Sequence, residues 1–392
     1  MIFGKILKKY GPRKIAIDVG THSLKGVVFE VIIGKNPIVL DRKTVKSPVF
    51  PDTDKPTPDE YVGWIVKKLP DFIQEMIKSS EHHPDTITIG LGPDIVALNI
   101  ENWSARFSGS SQNDGAFYNQ FAKILQENKK KHPEIIDAFL LDSYLNGYPL
   151  RHTATTFPPN TEFSFKTMVM RPASPRATER RASQEIATTL DMVKKGLSGL
   201  KIYFYPSFLA QKEVLTKVLE IHNSLVIDIG GETTAVTLLK NGSLEHVNFF
   251  PLGGRHFLRG ISKIASISFE EAEDLKRQYS QGIVSQDTQK QLHNFIRCEA
   301  EIWKKMFIKI LENFYHFGPL PPQVIIIGGG ANMPEVNSVI RGNWIKNFSY
   351  VEYPKVNILR GDSVFSGDSL GGALQGPEDF NLAALIYKDS HQ

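Results

Sequence analysis

The chain has 392 residues, 41% of them hydrophobic and 22% charged, with a formal net charge of +4. Such values exclude a disordered or collagen-like chain and leave room for two lobes, while the slight, interspersed charge gives no global field for nucleic acid. One cysteine, Cys298, excludes an intramolecular disulfide and a thiolate-built zinc site, and no run approaches the roughly 20 apolar residues of a membrane-spanning helix.

In chain order, MIFGKILKKY at residues 1–10 places Ile2, Phe3, Ile6, Leu7 and Tyr10 on one helical face and Lys5, Lys8 and Lys9 on the other. About three turns are marginal for an isolated helix, so two readings stand open: a membrane-surface anchor or a basic leader before a domain that begins at Arg13. The segment lacks the apolar core and cleavage site of a signal peptide. A cytoplasmic chain is expected, with peripheral contact at the inner face of the cell membrane through residues 1–10.

IAIDVGTHSLKG, residues 15–26, is an apolar strand that ends on Asp18, turns on Gly20 through Thr21, His22 and Ser23, and reaches Lys25. A helical stretch is expected over residues 58–79. From Thr86 the pattern predicts an extended run to about Asn102, a helix from Gly115 to Lys131, and strands through AFLLDSYLNGYPL and TEFSFKTMVMRP. KKK at residues 129–131 reads as the solvated end of that helix. PASPRATERRAS, residues 172–183, reads as a polar loop entering a helix over 183–199.

The strand-acid-turn plan then repeats. SLVIDIGGETTAVTLLKNGSLEHV, residues 224–247, sets Asp228 where the first copy has Asp18 and Gly230 where it has Gly20. Helical segments are expected over 258–281 and 286–316; in the latter, Trp303, Phe307 and Leu311 read as core, with a nucleobase-stacking surface as the sharper alternative. VIIIGGGANMPEV, residues 324–336, ends an apolar run in Gly328, Gly329 and Gly330, either to let a ligand approach the backbone or simply to make a tight crossover.

A glycine-rich reversal between strands exposes backbone N–H groups as a nest for phosphate oxygens, and Ser or Thr hydroxyls add donors. A carboxylate at the strand end would repel phosphate directly, so its plausible work is through a hydrated Mg²⁺, which keeps several waters and meets only one or two protein carboxylates. Two such turns from opposite halves suggest two related lobes facing a shared cleft. His22 stands open between an outward loop residue, the favoured reading, and an extra phosphate donor; Lys25 stands open between a phosphate contact and a solvated strand residue.

The order of the three units resembles the two phosphate motifs and the adenosine motif of the actin, sugar kinase and heat-shock chaperone ATPase superfamily, and within it the bacterial FtsA and PilM group. PSFLAQKEVL at 206–215, NGSLEHVNFFPLGGRHF at 241–257 and EEAEDLKRQY at 270–279 are similar to segments of that group. The fold this implies is α/β, an actin-like (ribonuclease H-like) two-lobed ATPase with a strand-helix-strand-strand inserted subdomain. The implied divisions are a leader at 1–12, a first lobe at 13–85 and 183–222, the insert at 86–182, a second lobe at 223–255 and 322–392, and a helical subdomain at 256–321 that caps the nucleotide.

The cofactors so implied are ATP and Mg. The expected nucleotide contacts are Gly20, Thr21, His22, Ser23, Lys25, Gly230, Gly231, Thr233, Thr234, Gly253, Gly254, Glu273, Lys276, Gly328, Gly329, Gly330 and Asn332. Asp18 and Asp228 are expected in the magnesium shell, acting through water, in at most a slow Mg-dependent ATPase; Glu273 and Lys276 could equally pair on a surface helix.

Two cellular readings follow from the resemblance. An FtsA-like protein would self-associate as a filament or dimer and link the tubulin-like division protein FtsZ to the membrane; GGETT and NGSLEHV favour this one. A PilM-like adaptor would engage an inner-membrane protein of the type IV pilus, as the basic leader and a chain closing at LAALIYKDSHQ without an amphipathic C-terminal helix suggest. Nucleic acid is not expected as a partner. A metabolic kinase would need a substrate pocket with a catalytic Asp between the lobes, and no segment reads as one.

Overall fold

The computed structural model describes residues 11–48, 58–81, 83–107, 116–150, 160–172, 180–197, 199–342, 347–365 and 372–391. The leader at 1–10 lies outside them. The chain divides into two compact units, residues 1–92 with 192–392, and residues 93–191.

In the larger unit, β1 (Arg13–Val19), β2 (Ser23–Glu30) and β3 (Ile38–Lys46) form an antiparallel meander. Parallel strands β4 (Thr86–Leu91) and β9 (Lys201–Pro206) extend it to the order β3-β2-β1-β4-β9. The second sheet repeats this plan: β10 (Ser224–Ile229), β11 (Thr234–Lys240) and β12 (Ser243–Phe250) meander, and β13 (Gln323–Ile327) and β14 (Lys355–Ile358) run parallel, in the order β12-β11-β10-β13-β14. Two sheets of one topology place the ends of β1 and β10, and so the two acids, at equivalent points.

The central strands are fully buried runs, as expected where helices cover a sheet. Ile15, Ile17, Ile87 and Ile89 in the first sheet, and Leu225, Ile227 and Ile325 in the second, have no exposure. Helices α1 (Pro58–Ser79), α4 (Ser207–Lys217) and α9 (Phe380–Ser390) cover the first. Gly26 of β2 admits α1 closely, since a Cβ there would lie 2.8 Å from the Met76 sulfur.

On the second sheet lie α5 (Gly254–Ala265), α6 (Phe269–Ser280), α7 (Gln286–Tyr315) and α8 (Pro334–Ile340). Trp303, Phe307 and Leu311 are core, in one cluster with Ile227, Val236 and Ile326, so residues 256–321 share the second sheet's core. The segment expected as one helix over 258–281 is two. Ser266 adopts a left-handed conformation (φ 53°), and α6 restarts on a capping box in which Ser268 and Glu271 exchange side-chain and backbone bonds. That Ser-x-x-Glu signal was present in the sequence.

The smaller unit is a four-stranded sheet, β5 (Val96–Phe107), β8 (Thr161–Pro172), β6 (Asp137–Leu145) and β7 (Tyr148–Pro149), covered by α2 (Ala116–Lys131). Its core gathers Trp103, Ile124, Phe163, Phe165 and Val169. The expected start of this insert at Thr86 is corrected to Pro93, because residues 86–91 are β4, hydrogen-bonded between β1 and β9. The helix α3 (Arg180–Gly196) runs across the second boundary, at Asp191 and Met192.

A candidate nucleotide site at paired strand turns

The two acid-tipped turns share one geometry. Asp18 pairs across its hairpin with Lys25, and Asp228 with Ala235; the Gly20 amide donates to the Ser23 carbonyl at 3.1 Å, and the Gly230 amide to the Thr233 carbonyl at 2.9 Å. The turns also touch. The Glu232 amide donates to Thr21 Oγ at 3.0 Å, and a Cβ on Gly231 would lie 2.8 Å from both the His22 Cβ and its backbone nitrogen.

The start of α5 seals this junction. The Gly254 and Arg255 amides donate to the Gly230 and Gly231 carbonyls at 2.9 and 2.8 Å, an approach that needs glycine at 253, where a Cβ would meet the Gly231 oxygen at 2.4 Å. Arg255, 2% exposed, reaches across to the first hairpin. It donates to the Ser47 carbonyl at 2.6 Å, the Pro48 carbonyl at 2.8 Å and His22 Nδ1 at 3.2 Å. Glu232 is equally buried and faces Arg255 at 3.7 Å and both terminal nitrogens of Arg259 at 2.9 and 3.1 Å. The two arginines neutralise the one carboxylate in the second turn. Burial lowers the Arg255 pKa, with Glu232 opposing the shift.

His22 is therefore not an outward loop residue, as favoured from sequence. Its Nδ1 accepts from Arg255 and its Nε2 lies 3.6 Å from Glu273, which Lys46 holds at 2.9 Å. Burial, then the Arg255 charge, pulls the imidazole down to about 4 from 6.5, so the ring is neutral at pH 7. For Glu273, burial pushes upward but Lys46, His22 and Lys276 together hold it below the usual carboxylate range. Lys276 approaches the Gly254 carbonyl at 3.5 Å; burial lowers its pKa, Arg255 adds to the effect and Glu273 opposes it. Glu273 and Lys276 thus meet the turns through side chains, beyond what a helix surface pair would need.

A depressed histidine pKa has a definite sign. The unfolded chain binds the proton first, so the stabilisation by neutral His22 is present above about 6.5 and drains away as pH falls toward about 4. With a third of the ring exposed, solvent screening limits this to about 1 kcal/mol. Urea unfolding of wild type and His22→Gln across this window should give a shallower pH slope for the variant; equal slopes would remove His22 from the account.

Asp228 sits in a cage built from α4 and α9, helices that cover the first sheet, although α9 falls in the 322–392 stretch expected in the second lobe. Asn381 of α9 donates to its Oδ2 at 2.8 Å and Gln211 of α4 at 3.3 Å. Burial raises its pKa, while Asn381, Lys25 and Gln211 oppose. Lys25 is no solvated strand residue. It bonds the Glu378 carbonyl and lies 3.9 Å from Asp379, which Arg42 grips with two nitrogens at 2.7 and 3.1 Å. Asp18 is 8% exposed.

The glycines divide by use. Gly328, at φ 86°, would place a Cβ 2.5 Å from the Asp228 Oδ1, and one on Gly330 would meet the Ile229 side chain at 2.2 Å, so both serve close packing on the end of β10. Gly329 is open, its nearest neighbour being the Glu378 Cβ at 3.8 Å. Asn332 is exposed beside it. Thr233 is buried and keeps its carbonyl on the Gly230 amide. Thr234 is corrected as a contact: it has no exposure, and its hydroxyl donates to the Leu252 carbonyl at 2.7 Å while accepting from Trp303 Nε1 at 3.0 Å.

These residues fit a nucleotide. Two glycine turns face one another, the cations Arg255 and Lys276 border them, and Gly329 leaves backbone uncovered at the third unit. Among the described residues no three His, Cys, Asp or Glu converge into a metal cage. Asp18 and Asp228 fit only the lighter role of holding a hydrated ion that arrives with phosphate. Sequence reading missed Arg255, Arg259, Gln211 and Asn381. The arginine in GGRHF and the acid in GGETT were the available signals, one charge of each sign beside a glycine pair.

Residues 225–363 match the family model described as cell division protein FtsA. The chain is 30% identical to FtsA of Bacillus subtilis (strain 168) over 135 residues, 29% of this chain and 30% of that protein. It is 26% identical to the ethanolamine utilization protein EutJ of Escherichia coli (strain K12) over 137 residues, 35% of this chain and 39% of that protein. These matches span less than half the length of either relative. In three dimensions the chain resembles the PilM-PilN type IV pilus biogenesis complex with a TM-score of 0.61 at 18% identity, over 97% of this chain and 98% of that one. By its repeated sheets, its paired turns and these likenesses, the chain has the actin-like α/β ATPase fold, and residues 225–363 are similar to FtsA.

Proposed function

We propose that the chain binds ATP between its paired turns and uses it to control association with a protein partner at the inner face of the membrane. The observation that carries this reading is the direct apposition of the two acid-tipped turns, Thr21 to Glu232 and His22 to Gly231. Phosphates would lie on the turn backbones with Lys276 and Arg255 alongside, the nucleoside beside Glu273 and Gly329, and a hydrated Mg²⁺ near Asp18 and Asp228. The ion would offset phosphate charge; the chain's own part is to position both turns and keep water ordered between them, which suits slow hydrolysis at most.

For the cellular role we favour an FtsA-like link, as filament or dimer, between a tubulin-like division protein of the FtsZ type and the membrane, because the sequence match lies in the FtsA family model. A PilM-like adaptor of a pilus inner-membrane protein is the second reading, supported by the likeness along nearly the whole chain. Residues 1–10 would supply the lipid contact in either case. Calorimetric titration with Mg·ATP tests the site, and absence of binding would end the nucleotide reading. Pull-downs with FtsZ and with the cytoplasmic peptide of a pilus inner-membrane protein decide the partner: capture by FtsZ supports the first role, and capture by the peptide alone replaces it with the second.

A further inference from the structure

The smaller unit carries a feature that the nucleotide reading does not use. Its sheet order leaves β5 at one edge, with β8 as its neighbour among the described residues. An edge strand presents a row of main-chain donors and acceptors open to pairing. Alongside lies a groove of about 460 Å³, walled on one side by Asn102 to Arg106 of β5. The opposite wall is a stripe of α2 built from Gln120, Lys123, Ile124, Glu127, Asn128 and Lys131.

The stripe's positions, i, i+3, i+4, i+7, i+8 and i+11 from Gln120, make one helical face. From Gln120 to Lys131 it runs roughly 16 Å at helical rise, and five strand residues run roughly 17 Å. Strand edge and helix face are thus matched in length, the arrangement in which a peptide is accommodated as an added strand. Both residue parities of β5 line the groove, as they must where a strand's edge, rather than one face of the sheet, forms the wall.

Charge selects the occupant. Arg106, Lys123 and Lys131 are exposed, and none has an ion-pair partner among the described residues; Glu127 is the one acid in the lining. Elsewhere in this unit ionic groups are matched, Lys129 with Asp137 at 3.2 Å and Arg171 with Glu101 at 2.6 Å. The groove is therefore net basic where its neighbours are balanced.

We infer that the β5–α2 groove receives an extended acidic peptide segment of a partner protein, added to β5 as a further strand with its carboxylates facing Arg106, Lys123 and Lys131. Main-chain bonds supply affinity whatever the peptide's sequence, and the three cations supply the preference. Ile124, a buried residue of the lining, offers an apolar contact between the acids.

The test uses the full chain without nucleotide, so that failure here is separate from failure of the nucleotide site. A fluorescein-labelled octapeptide of alternating Glu and Val is titrated beside its Lys and Val counterpart, with hydrogen exchange followed in parallel. The acidic peptide should bind at least about tenfold more tightly, weaken as salt rises, and slow exchange of β5 amides within residues 102–106. Lys123→Glu with Lys131→Glu should reduce its affinity about tenfold while the thermal melt stays unchanged, as expected of exposed positions. Equal binding of both peptides, or protection elsewhere, would overturn the inference. So would concentration-dependent dimerisation that protects β5 without peptide, which would assign the edge to a second copy of the chain.

Discussion

Asp228→Asn should abolish most Mg-dependent ATP affinity, by about 10- to 100-fold, without destabilising the fold. The reasoning separates the two effects. Burial raises the Asp228 pKa, so its contribution to stability is full below the ordinary carboxylate value of 3.8 and is lost as pH rises through the folded value. The charged form of this buried carboxyl is the costly one, and Asn381, Lys25 and Gln211 soften that cost. An asparagine can turn its carbonyl to both amide donors, so the melting temperature at pH 7 should hold or rise. Titration with and without Mg²⁺, beside a thermal melt, checks both halves. Unchanged affinity would dismiss Asp228 from the metal shell, and a large fall in melting temperature would make it a structural residue instead.

Arg255→Ala acts in the opposite sense. It removes the guanidinium that joins the first hairpin to α5, stranding the Ser47 and Pro48 carbonyls and the His22 ring nitrogen. Glu232 keeps Arg259, so its charge is not left alone. The loss of bonds to buried acceptors, together with the space vacated, should cost about 3 kcal/mol and lower the melting temperature by roughly 4 to 5 °C. Arg255→Lys should recover only part of this, since an ammonium cannot span the acceptors that the planar fork reaches. Calorimetry on the three proteins checks it, and a variant within 1 °C of wild type would show that the lobes are held together by other contacts.

The sequence exposed the fold wherever a single strand pattern carried it. The two IDxG turns announced β1–β2 and β10–β11, and the apolar spacing of Trp303, Phe307 and Leu311 located α7 on its sheet. It was less informative where tertiary pairing decides. Residues 86–91 and 96–102 are both extended, and only the bonding of the former to β1 and β9 assigns it to the lobe and not the insert. Glycine function was opaque for a similar reason: Gly328 and Gly329 are identical in composition, but one faces Asp228 and the other open space. The cage around Asp228 was invisible because Gln211 and Asn381 lie 17 and 153 positions away along the chain.

That cage has a consequence for biosynthesis. Asp228 is made long before Asn381, and chains fold from the N-terminal side as they emerge. Until α9 leaves the ribosome and docks on α4, the acid at the tip of β10 lacks its strongest amide donor, so the second turn should mature only with the arrival of residues 380–390. A ribosome stalled before that helix would display both sheets with an unfinished junction.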